Sequence, residues 1–62
     1  MSKNMLTTKE AGMLGELLVH EESACKKARL YARTVDNQEL KQKFTEIANN
    51  HERRFNALLE LL

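Results

Sequence analysis

With 62 residues, a net charge of +1 and 31% charged side chains, the chain reads as one small unit, a single domain over residues 1–62 with a solvated surface. The near-neutral balance carries no nucleic-acid signature, no run reaches membrane-spanning length and no apolar leader of signal-peptide type is visible, so cytoplasmic synthesis and no membrane partner are expected. A lone cysteine, Cys25, excludes an internal disulfide, and no Cys/His spacing resembles a closed zinc site.

Met1 to Leu6 reads as a loose start. Thr7-Thr8-Lys9-Glu10 then has the spacing of a capping box, in which the Thr7 hydroxyl accepts from the Glu10 backbone N–H and the Glu10 carboxylate reaches back. Helix one is expected from about Thr8 to about Thr34. Leu14, Glu21 and Ala28 recur every seven residues along it, flanked at steps of three and four by Leu17, Leu18, Ala24, Cys25, Tyr31 and Ala32. Gly12 and Gly15 weaken its first turns and read as exposed, tolerated glycines. Lys26, Lys27, Arg29 and Arg33 make its second half basic. This suits the negative end of a helix, and it is also the one candidate basic surface for an RNA or protein partner; the charge balance elsewhere argues against nucleic acid.

Thr34 and Val35 are β-branched and weaken the helix end. Asp36-Asn37-Gln38-Glu39 is a second start signal, with Asp36 as the expected N-cap and Glu39 as the acid at the third helical position. Helix two is expected over about residues 37–62. Phe44, His51 and Leu58 form its seam, flanked by Leu40, Ile47, Ala48, Phe55 and Leu62. The fold class is therefore all-α: an antiparallel helical hairpin with a very short connection. Each stripe is as wide as those of a bundle, so one neighbouring helix cannot cover it. A homodimer forming a four-helix bundle is the simplest expectation.

Glu21 and His51 interrupt the two seams. Glu21 lies 15 residues before Asp36 and His51 lies 14 residues after Asn37, so an antiparallel hairpin brings them to nearly the same level. A buried charge is costly unless paired, neutralised or bound to a metal. Across a dimer, two glutamates and two histidines could ligate a single divalent metal such as Zn, Fe or Mn. They could equally form two buried pairs with no metal. A carboxylate-bridged dinuclear site takes Glu-x-x-His, and the residue three before His51 is Ala48, so the bridging carboxylate is missing. His20, Glu22 and Glu52 are polar neighbours that could enlarge the cluster or simply face solvent. No nucleophile elbow, phosphate-binding loop or paired catalytic acid is present, and no enzymatic activity is expected.

Glu21-x-x-Ala24 followed by Tyr31-Ala32 resembles the first helix of ferritin-like and rubrerythrin-like half-bundles. The segment Asp36-Asn37-Gln38-Glu39-Leu40-Lys41, then Phe44, Ile47-Ala48, His51 and Leu58-Leu59, resembles the Coat F-like spore coat proteins of endospore-forming bacteria, a degenerate branch of the ferritin-like fold. The resemblance spans about Leu6 to Leu62. It implies a ferritin-like four-helix bundle assembled from two hairpins. It matches Glu21 to the helix-one metal ligand and His51 to the histidine of Glu-x-x-His, with Ala48 departing from the motif. It further implies a structural, self-assembling protein that pairs with itself or with other coat proteins, made in the cytoplasm and destined for the spore coat, with any metal vestigial. A small dimeric regulatory module binding RNA or a protein, or a weakly metal-binding ferritin-like protein, is the alternative.

Overall fold

The expected capping box forms. In the computed structural model, which describes residues 5–62, the Thr7 hydroxyl accepts from the Glu10 N–H and the Glu10 carboxylate accepts from the Thr7 N–H, each at 3.0 Å. Residues 1–4, most of the expected loose start, lie outside the described residues; Met5 and Leu6 precede the first helix. That helix, α1, runs Thr8–Thr34, the bounds read from the periodicity. It stops where the β-branched pair stands: the Thr34 hydroxyl turns back to the Leu30 carbonyl at 2.7 Å, and Val35 is extended at φ −78° and ψ 148°.

The second helix, α2, runs Gln38–Leu59. Its cap differs from the expected one. Asn37, not Asp36, is the N-cap, and its side-chain oxygen accepts from the Leu40 N–H at 2.8 Å. Either residue type can cap, and the choice falls to the one whose side chain reaches the third helical N–H. Glu39 consequently sits at the second helical position. The far end also falls short of residue 62. The Leu61 and Leu62 N–H groups bond back three residues, to Leu58 and Leu59, and tighten the chain into a turn. Across the connection, Lys41 donates to the Ala32 carbonyl at 2.9 Å and satisfies one of the unpaired carbonyls at the end of α1.

The described residues thus form an all-helical antiparallel hairpin, with principal extents of 46 × 16 × 13 Å. No helix among them is long and apolar enough to cross a membrane. The seam holds Leu14, Glu21, Ala28 and Ala32 of α1 against Ala48 of α2, which is completely buried. The alanines let the helix backbones approach closely. Phe44, Phe55 and Leu58 are half-buried along it, and the Tyr31 and Phe44 rings meet at 6.1 Å with a tilt of 53°.

Several side chains expected in the core are not covered within the protomer. Leu17, Tyr31, Leu40, Ile47 and Leu62 are all exposed. The reason is geometric. Each helix has one neighbour, so a side chain well off the contact line has nothing to pack against. Leu14 is the one large apolar side chain buried among the described residues.

Two stability outcomes follow. Asn37→Ala should cost about 1 kcal/mol, while Asp36→Ala should be nearly silent. Thermal melts at one fixed protein concentration should show a fall of roughly 4–8 °C for the first. A Cβ added at Gly12 or Gly15 meets nothing within 4 Å. Alanine at each should therefore stabilise α1 by about 1 kcal/mol, and the same melts should shift upward.

Candidate functional site: a buried carboxylate held by His51 and Arg54

Glu21 is buried in the middle of α1, and a carboxylate placed there needs partners. The antiparallel register supplies them from α2. His51 Nδ1 lies 2.5 Å from Glu21 Oε1, and Arg54 Nε donates to Glu21 Oε2 at 3.0 Å. Both carboxylate oxygens are therefore engaged. The level matching of Glu21 and His51 read from the sequence is found in the structure. His51 is largely enclosed, with 17% of its side chain exposed, whereas 54% of the Arg54 side chain reaches solvent.

The contact chemistry fixes a tautomer. An ionised carboxylate only accepts, so the bond from Nδ1 requires a proton on that nitrogen. Arg54 Nη2 also comes within 2.9 Å of Nδ1. A nitrogen that donates to Glu21 has no lone pair left to accept from arginine. The productive bonds are thus His51 to one oxygen and Arg54 Nε to the other. The His51 hydrogen bond is the first cause holding the Glu21 carboxyl below its ordinary range, and the Arg54 hydrogen bond is the second; burial opposes both.

Arg54 is the site residue that the periodicity did not single out. It lies three residues after His51, one turn along the same helix face. Its signal was present in outline: Leu40, Ile47 and Leu61 share its seven-residue line, and an arginine in an apolar line calls for an anion.

The sequence-selected neighbours do not join this cluster. Glu52 lies on the other side of the seam, paired with Arg29, which also donates to Asn49 at 3.3 Å. His20 is exposed at the rim of a groove, and Glu22 makes a long 3.9 Å contact to Lys26 at the surface. Of the basic stretch, Arg29 is committed to this bridge between the helices, while Lys26, Lys27 and Arg33 are exposed. The stretch is therefore not one continuous free patch.

The residues of a single protomer do not fit a divalent metal. Glu21 and His51 are two ligand-type groups, and among the described residues no cluster of three or more His, Cys, Asp or Glu is present. Arg54 moreover places a fixed positive charge against the oxygen a cation would need. Ala48, where the carboxylate-bridged motif has glutamate, is buried at the helix contact and has no room for a longer side chain.

Comparison with protein-family models, with curated proteins and with solved structures gave no match.

The depressed Glu21 carboxyl makes an acid-limb prediction. Its folded value lies below the unfolded value of 4.5. Its stabilising contribution is complete above 4.5 and is lost as pH falls through the folded value. Melts from pH 7 down to pH 2 should show this loss in the wild type and a flatter profile in Glu21→Gln. Because both partners hold one carboxylate, removing His51 and Arg54 together should lower the melting temperature by more than the sum of the single changes His51→Leu and Arg54→Leu.

Proposed function

We propose that the protein is a structural, self-assembling unit of the spore-coat kind, in which two hairpins close a four-helix bundle. The observation that supports this reading most is the uncovered apolar surface. Met13, Leu17, Leu30, Tyr31, Leu40 and Ile47 are all exposed, and no large side chain is fully buried among the described residues. Met13, Leu17 and Tyr31 lie on one side of α1, and apolar surface gathered on one side of a hairpin suits an interaction site. The chemistry of the Glu21 cluster supports the same reading from another direction. Both Glu21 oxygens are engaged by side chains of the other helix, which suits a device that holds helices in register.

The coat assignment itself rests on the resemblance of the Glu21, turn and His51 order to the Coat F-like group. In this reading the protein is made in the cytoplasm and joins the coat with itself or with other coat proteins. No reaction is assigned to it.

Sedimentation equilibrium at micromolar concentration tests the assembly. The expected mass is twice that of the 7.2 kDa chain. A cooperative, folded monomer at that concentration would contradict the proposal.

A further inference from the structure

The hairpin has two broad sides, and they differ in chemistry. On one, a groove of about 360 Å³ runs between the helices, floored by Ala24, Ala28, Phe44 and His51, walled by Tyr31 and Ile47, and edged by the exposed His20, Ser23 and Lys27. Leu17, Ala24 and Tyr31 lie on one seven-residue line of α1, and Leu40 and Ile47 on one line of α2 that continues to Arg54. Apart from the alanine, these side chains are all exposed. On the other side, across the seam from Ala24, the surface around Cys25 and Phe55 is spanned by polar bonds from Arg29 to Glu52 and Asn49.

We propose that the groove side is the surface on which a second copy of this chain seats, and that the Arg29–Glu52 side stays in solvent. The inference rests on the reading of the chain as a self-assembling unit and adds which face does the work. Three features point to a second copy as the occupant. The first is size. A side 46 Å long and 16 Å wide projects on the order of 700 Å², near the roughly 800 Å² per partner of a standard interface. The second is self-complementarity. The small residues Ala24 and Ala28 make a hollow, while Leu17, Tyr31 and Ile47 stand proud beside it on the same face. A two-fold axis through this face places the knobs of each copy against the hollow of the other, as an isologous contact requires. The third is the placement of ions. Glu21 is already neutralised by its own protomer through His51 and Arg54, so the centre of the face can be covered without stranding a carboxylate. Lys27 and Arg54 on the groove side have long stems whose charged ends can still reach water at the rim of a contact, whereas covering the other side would desolvate the Arg29–Glu52 pair that spans the two helices.

Paired charge insertions test the face. Ile47 is exposed in the protomer, so a charge there does not disturb the hairpin itself. Thr45 is exposed on the opposite side, beside Arg29 and Ala32. In sedimentation equilibrium, Ile47→Glu should weaken dimerisation by ~100-fold or more, because it buries an unpaired charge. Thr45→Glu should leave the dimer constant within about twofold. A dimer that survives Ile47→Glu, or that Thr45→Glu dissociates, overturns the choice of face while leaving self-assembly intact. A wild-type chain that is a folded monomer overturns self-assembly as well.

Should Ile47→Glu fail to fold, thiol modification supplies the answer in variants that keep the face apolar. In a Cys25→Ser background, Ile47→Cys should react with a maleimide at least ~10-fold more slowly than Thr45→Cys at concentrations where the protein is dimeric. Equal rates at the two positions would overturn the proposal.

Discussion

One buried carboxylate sets the register of this hairpin. Glu21 sits in the seam of α1, and its two oxygens are held by His51 and Arg54 of α2. Alanine contacts along the same seam are short and alike, and they would tolerate several alignments. An ionised group does not. A slide of one helical turn would move its partners by about 5.4 Å and leave the carboxylate buried without donors. The lysine bond from Lys41 to the Ala32 carbonyl and the Arg29–Glu52 bridge agree with that alignment from points nearer the turn. The polar contacts act here as a ruler more than as a source of binding energy.

That ruler is needed because the apolar contribution within one protomer is thin. Ala28, Ala32 and Ala48 bury little area each, and Leu14 is the one large buried side chain among the described residues. Close alanine packing brings the helices together and at the same time pushes longer side chains to the flanks. Tyr31, Leu40 and Ile47 are exposed for this reason. The same residues that fail to build a core inside the hairpin make an apolar surface outside it, so the shortage of one and the presence of the other have a common cause. A helix with high helical propensity does not resolve this, since tertiary burial of the apolar face supplies most of a helix's stability in water.

What could be read from the sequence tracks how local each determinant is. The Thr7–Glu10 box and the stop at Thr34-Val35 depend on neighbours three or four residues apart, and both are where the spacing put them. The Glu21–His51 level followed from counting residues about a short turn, because antiparallel helices share one rise per residue. Arg54 was harder. Sequence separation puts it one turn from His51, but only a long side chain leaning along the helix brings its guanidinium to Glu21. The Arg29–Glu52 and Arg29–Asn49 bonds are of the same kind, and they give Asn49, an otherwise poor helix residue, a role. The choice between Asp36 and Asn37 as cap turned on a single residue of helix start, below what pattern alone resolves. Burial of Tyr31 and Ile47 was expected from periodicity, which marks the apolar face of a helix but does not say which molecule covers it.

The site also carries an argument about what a carboxylate and an imidazole need when they meet inside a helical bundle. The pair presents a negative charge in a poorly solvated seam, and something positive must stand against it. In carboxylate-bridged helical bundles, bound metal ions meet that need, and a glutamate three residues before the histidine helps to hold them. Here the positive charge is covalently attached, as Arg54, and the position three before His51 is an alanine buried at the helix contact. The two features are physically compatible. Without a metal to bridge, a glutamate at position 48 would be a second buried anion with no cation of its own. With alanine there, the helices close in, and one arginine suffices for the carboxylate that remains. A seam neutralised in this way holds the two helices in one alignment.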